Sequence, residues 1–207
     1  MPARVIKICG ITHAGDAQAA VAAGATAVGF NFYPKSSRFI ECAQAAEIAA
    51  SLPPGICKVG VFVNEPPETV ERIAQECGLD VAQLHGGESR EQFPRGVRVW
   101  KALRVEQGFD IAQCDAYSGA EAILLDGPAG ANFGGEGKAF SWSIAAKCKH
   151  KVILAGGLDA ANVGAAIAAA HPWGVDACSR IERSPGRKDH AKMREFIQAA
   201  VKAEETK

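Results

Sequence analysis

The chain has 207 residues, of which 48% are hydrophobic, 22% charged and 7% aromatic, and its 23 Lys and Arg balance 23 Asp and Glu. That composition argues against disorder over most of the chain. With no net charge, it also argues against a nucleic acid or an anionic membrane held by bulk electrostatics.

The opening MPARVIKICGIT places Arg4 and Lys7 inside what would be the apolar heart of a secretory signal. Residues 17–34 are uncharged but rich in Ala and Gly. They also carry Gln18, Thr26, Asn31 and Pro34, the pattern of a helix, a turn and a strand rather than a membrane span. Eight short apolar runs read as strands: Val5–Cys9, Ala27–Phe32, Lys58–Val63, Val81–His85, Val97–Ala102, Ala122–Asp126, Val152–Ala155 and Gly174–Cys178. Helical stretches are predicted between them, at 14–23, 42–51, 66–76, 88–93, 107–113, 141–147, 160–169 and 188–204. Pro66–Pro67 suits a first helical turn, and Asp159 reads as an N-cap.

Strict alternation of strand and helix leads to a closed (βα)8 barrel or to an open doubly wound sheet. Several strands are apolar on both faces, as parallel strands covered on both sides must be. No Pro- or Ser-rich linker divides the chain, so residues 1–207 read as one domain. A dinucleotide-binding sheet would carry GxGxxG after its first strand, whereas this strand ends Cys9-Gly10-Ile11-Thr12. The predicted fold is therefore α/β, a single-domain (βα)8 TIM barrel. Seven cysteines (9, 42, 57, 77, 114, 148 and 178) form no CxxC, and this odd, scattered set suggests reduced thiols and a cytoplasmic location.

In such barrels, chemistry gathers at the carboxyl ends of the strands. There the sequence places Cys9, Asn31 and Arg38, Gln83 and His85, Asp126, Gly156-Gly157, Asp176, Ser179 and Arg180. One rim would thus receive a thiol, a carboxylic acid, a guanidinium and an anion cradle. Gly156-Gly157 precedes a helix, and the loops after the last two strands of barrels commonly bind phosphate through backbone N–H groups. Residues 134–138, GGEGK, fail the P-loop pattern, which would need Gly at 132 and Ser or Thr at 139. The five histidines make no HExxH and no paired metal spacing, and there is no GxSxG elbow, so metal catalysis and serine hydrolysis are disfavoured.

Nearly end to end and in order, the segments KICGIT (7–12), GFNFYPKSSRFI (29–40), VGVFVN (59–64), QLHG (83–86), ILLD (123–126), GGEGKAFSW (134–142), AGGLDAANV (155–163), GVDACS (174–179) and PGRKD (185–189) resemble the phosphoribosylanthranilate isomerase family. The resemblance implies a (βα)8 barrel of tryptophan biosynthesis, catalysing an Amadori rearrangement of N-(5-phosphoribosyl)anthranilate without cofactor or metal. It implies Cys9 as general base, Asp126 as general acid and Arg38 as the holder of the anthranilate carboxylate. Phosphate would sit on Gly156 and Gly157 and on the loop after the eighth strand, with His85, Asp176, Ser179 and Arg180 counted among the substrate-binding residues. The implied partner is this small phosphosugar-anthranilate, with no nucleic acid and no membrane. Monomer and homodimer both stay open.

Two features go beyond the resemblance. Lys7 and Cys9 are two apart on a strand, hence on one face about 6–7 Å apart. An ammonium there would favour the Cys9 thiolate and would itself be neutralised by an interior acid, with Asp176 the first candidate; a purely structural ion pair is the equal alternative. Second, the family usually has Ser-Ser-Gly where this chain has Cys178-Ser179-Arg180. Arginine in a left-handed conformation would cost about 1–2 kcal/mol, so a local change in the loop is expected, with Arg180 bonding the phosphate or lying on the surface. Glu136 and Ser141 also depart from the family's usual residues. Rival readings are an indole-glycerol phosphate synthase, which wants a Lys and Glu pair, a ribulose-phosphate-type epimerase, which wants metal-binding histidines, and a decayed barrel that only binds phosphate.

Overall fold

A computed structural model describes residues 5–127 and 142–205. Eight parallel strands close into a barrel. They are β1 (Val5–Ile8), β2 (Ala27–Asn31), β3 (Cys57–Phe62), β4 (Val81–Leu84), β5 (Arg98–Arg104), β6 (Ala122–Asp126), β7 (Val152–Ala155) and β8 (Gly174–Ala177). β8 pairs back onto β1 with Lys7 opposite Asp176 and Ile8 opposite Ala177.

The two-residue period of a strand divides the apolar residues into two cores. Val5, Ala27, Val59, Val81, Trp100, Ala102, Ala122, Leu124, Ile153 and Ala155 fill the barrel. Their alternates, among them Ile6, Ile8, Val28, Phe30, Ile123, Leu125 and Leu154, face the surrounding helices and loops. Trp100 is fully buried and meets Trp173 edge-on at 5.8 Å between ring centroids, which plugs the interior. The same period carries the inward set upward, from Val5 through Lys7 to Cys9, from Ala122 through Leu124 to Asp126, and from Gly174 through Asp176 to Cys178.

Five α-helices lie among the described residues: α1 (Ala14–Ala23), α2 (Cys42–Ala50), α3 (Pro67–Glu76), α4 (Val163–Ala170) and α5 (His190–Glu205). Pro66 and Pro67 do open α3. Three of the expected helices are instead 3-10 turns, at Arg90–Gln92, Ile111–Tyr117 and Trp142–Lys147. The first is cut short because Glu88 is drawn into the interior by Lys101 at 3.0 Å, after which Ser89 and Gln92 close a capping box. The second starts late because Gly108 takes a positive φ of 85° and Asp110 caps the turn from Ala112 N onward. Asp159 is not the cap of α4. Its carboxylate accepts from Ala161 N and holds the turn before the helix, while Asn162 occupies the cap position. After β8 the chain forms a short hairpin, Glu182–Ser184 with Arg187–Lys188. The P-loop-like segment 134–138, Glu136 and Ser141 lie outside the described residues.

Candidate active site

All nine site residues expected from the sequence line one cavity of about 310 Å³ at the carboxyl ends of the strands. Cys9 follows β1, Arg38 follows β2 and His85 follows β4. Asp126 ends β6, Gly156 and Gly157 follow β7, Asp176 lies in β8, and Ser179 and Arg180 follow it.

On one side the cavity wall is built by β1 and β8. Lys7 is completely buried and its Nζ lies 3.0 Å from Asp176 Oδ1, whose side chain is 7% exposed. Burial works against the Lys7 charge, but Asp176 and Cys9 outweigh it and raise the ammonium pKa. Burial pushes the Asp176 carboxyl up to about 7 despite Lys7, with Cys9 adding to the rise. The Cys9 thiol moves far below its ordinary value. A hydrogen bond from Cys178 is the largest cause; burial opposes it, and Lys7 and Lys188 assist. One buried ammonium thus serves two acids, and in so dry a place it balances one anion at a time. Gly29 makes the room: a Cβ on it would stand 2.9 Å from Cys9 Sγ and 3.1 Å from Lys7 Cε.

The opposite side is more open. Asp126 is 31% exposed and its Oδ2 is 3.2 Å from His85 Nε2. Buried Gln83 sets the imidazole from behind, with its Nε2 3.1 Å from Nδ1. An amide N–H donating to Nδ1 leaves the ring proton on Nε2, aimed at Asp126. The loop bearing His85 is clamped from β5, where Lys101 Nζ donates to Leu84 O (3.1 Å), Gly86 O (2.7 Å) and Glu88 (3.0 Å).

Arg38 reaches across from the loop after β2 and is gripped by Glu182 through Nε at 2.9 Å and Nη2 at 2.6 Å. Lys188 holds the same carboxylate at 2.9 Å. Against the cost of burial, these two cations pull the Glu182 pKa down. Beyond β7, Gly156 and Gly157 have φ of 85° and 65°. A Cβ at Gly156 would collide with the backbone of Gly127, so only glycine fits the turn. Arg180 lies in a 3-10 turn, Ser179–Ile181, with no positive φ, and its Nη1 is 3.5 Å from Asp159. Arg180 thus avoids the left-handed conformation that would be costly for a residue with a side chain. Among the described residues, no group of three or more His, Cys, Asp and Glu could hold a metal ion.

The comparisons with known proteins agree. The family described as PRAI, N-(5'phosphoribosyl)anthranilate (PRA) isomerase, matches residues 6–199. An N-(5'-phosphoribosyl)anthranilate isomerase of Solibacter usitatus is 56% identical over 96% of this chain and 98% of its own length. The chain belongs to the N-(5'-phosphoribosyl)anthranilate isomerase family. Among solved phosphoribosyl anthranilate isomerases, the Thermotoga maritima protein superposes with a TM-score of 0.87 at 40% identity, covering 97% of this chain and 100% of that one. Another, in complex with reduced 1-(o-carboxyphenylamino)-1-deoxyribulose 5-phosphate, gives 0.86 at 38% identity with the same coverage.

Several residues around the site of this isomerase family member escape a reading by sequence. Glu182 grips Arg38 from 144 residues away. Lys188 was visible only as part of PGRKD, and Cys178 only as a departure from serine. Gly29 lay within a quoted motif, where the alternation of inward residues in β2 was the available signal.

Proposed function

We propose that this chain converts N-(5'-phosphoribosyl)anthranilate to 1-(2-carboxyphenylamino)-1-deoxyribulose 5-phosphate, the Amadori step of tryptophan biosynthesis, with Cys9 as general base and Asp126 as general acid. The observation that carries this reading is the cavity itself: a thiol whose pKa its neighbours lower and an accessible carboxyl line the same space, as a two-proton rearrangement of one sugar requires. Membership of the isomerase family supplies the substrate.

The steps follow from the chemistry of an aminoaldose. Asp126 gives a proton to the ring oxygen as the C1–O bond breaks, and the nitrogen lone pair forms a protonated imine. His85, 3.2 Å away, donates to the carboxylate left behind. The imine acidifies the C2 hydrogen, which the Cys9 thiolate removes. The resulting enamine tautomerises to the ketone.

Arg38, held side-on by Glu182, presents its remaining N–H groups to the anthranilate carboxylate. The N–H groups of Gly156 and Gly157, with Ser179, take the phosphate. Arg180 turns from Asp159 to the phosphate when substrate is present. Asp176 acts below the substrate, as partner of Lys7. All of these residues come from one chain.

The test generates the substrate in situ and follows its disappearance with wild type, Cys9→Ala and Asp126→Asn. Turnover by the wild type and its loss in both variants is the expected result. Full activity in either variant overturns the assignment of that residue.

A further inference from the structure

The seven cysteines are scattered in sequence, yet the fold brings six of them into thiol–thiol contacts. Cys42 and Cys77 lie 2.8 Å apart, sulfur to sulfur, between α2 and the end of α3. Cys114 hydrogen-bonds Cys148. The third pair is at the mouth, where the Cys178 thiol hydrogen-bonds Cys9.

This third pair differs from the others in place and in chemistry. Ile8 is opposite Ala177 on the β1–β8 ladder, and Cys9 N donates to Ala177 O at 2.9 Å, so Cys9 and Cys178 are the next two residues in register. Neighbouring strands run about 4.7–4.9 Å apart, within the Cα separation of about 4.4–6.8 Å that a disulfide bridges. Both sulfurs face the same solvent-connected cavity, large enough for small oxidants. Lys188 braces Cys178 through its carbonyl at 3.2 Å, with its ammonium 3.9 Å from the sulfur.

We propose that Cys9 and Cys178 form an oxidisable pair, in which peroxides close a disulfide across the mouth and withdraw the base from the isomerisation. In the first step the Cys9 thiolate attacks one peroxide oxygen. The O–O bond breaks, and with one proton taken up the products are Cys9 sulfenic acid and water. In the second step the Cys178 sulfur attacks the sulfenic sulfur. The S–S bond forms as the S–O bond breaks, and the thiol proton leaves with the oxygen as a second water. Two electrons pass from the two sulfurs to the peroxide, and a dithiol returns them.

The direction of the reaction follows from the neighbours. Cys9 has Lys7, Lys188 and the Cys178 hydrogen bond to keep it anionic, which makes it the attacking sulfur, while Cys178 holds its proton and resolves. Burial pushes Cys77 and Cys114 up to about 12, and Cys42 upward as well, so these thiols are slow towards the same oxidant. The loss of activity on oxidation rests on Cys9 being the base; formation of the bond does not.

The test treats reduced wild type, Cys178→Ser and Cys178→Ala with hydrogen peroxide and blocks free thiols by alkylation. Peptides are then mapped without reduction, and each protein's activity is measured against its own untreated sample before and after dithiothreitol. In the wild type the expected result is a Cys9–Cys178 linked peptide, activity reduced at least tenfold, and recovery with dithiothreitol. In both variants Cys9 is expected to proceed to the sulfinic acid, with activity that dithiothreitol does not restore. Inactivated wild type with Cys9 sulfinate and no linked peptide overturns the proposal, as does equal recovery in the variants. A linked peptide with activity intact keeps the bond but refutes Cys9 as the base.

Discussion

The two halves of the mouth solve opposite problems. In the proposed mechanism the β1–β8 half keeps a proton off a sulfur, deep in the wall, where a donated S–H from Cys178 and two ammonium groups, Lys7 and Lys188, lower the thiol pKa. The β4–β6 half delivers a proton in that mechanism, and its carboxyl stands at the cavity surface beside His85, which Gln83 holds from behind. Burial is costly for an anion, and a cation that shares it offsets part of that cost. The depth of Cys9 therefore sharpens its electrostatics, while the openness of Asp126 lets substrate reach it and lets the proton be replaced after each turnover.

The largest effects come from removing either reacting group. Cys9→Ala and Asp126→Asn should each lower kcat by about 10²–10⁴-fold with little change in KM, because neither is the main anchor of the substrate. Steady-state kinetics check this, and a loss confined to KM would erase the distinction between reacting groups and anchors.

Arg38→Met comes next. Losing a charge-assisted bond worth about 1.5–3 kcal/mol should cost roughly one to two decades in kcat/KM, mostly in KM. Glu182→Gln should produce a smaller loss of the same kind, since it loosens the guanidinium without removing it.

Within the base half, two substitutions should pull in opposite directions. Lys7→Met removes the cation, raises the Cys9 thiol pKa and moves the acid limb of the pH–rate profile to higher pH. Asp176→Asn removes the competing acid and moves that limb down. Shifts of the same sign would mean that the buried pair is only structural. Breaking it from the Lys7 side also costs stability, at most the 3–5 kcal/mol or so seen for buried pairs, and less where Asp176 takes up a proton.

The smallest effect is on stability against pH. Asp176 binds its proton more tightly in the folded state, at about 7 against an ordinary 3.8. Its contribution is therefore full below the ordinary value and is lost as pH rises through about 7. Denaturant titrations of wild type and Asp176→Asn across that window should differ by this slope, and parallel curves would contradict it.

Much of this was legible in the sequence because a barrel strand is a two-residue code. Val5, Lys7 and Cys9 had to share a face, so the Lys7–Asp176 contact could be anticipated without coordinates, while Asp126 was legible as the polar end of the sixth strand. Long-range charge pairing was not legible. Nothing local marks Glu182 as the partner of Arg38, since the two lie 144 residues apart. Nothing local pairs Glu88 with Lys101, and a helix was expected from 88 onward. Burial of that ion pair replaced helical packing with a 3-10 turn and fixed the loop of His85. His85 and Asp176, expected among the substrate-binding residues, both line the cavity, where their nearest charged partners are Asp126 and Lys7.

The most direct measurement is the pH dependence of Cys9 alkylation in the wild type, read peptide by peptide so that the other six cysteines do not contribute. The expected midpoint lies well below the value of about 8.5 for a free thiol and moves upward in Lys7→Met. A midpoint at or above that value, unmoved by Lys7→Met, would contradict it.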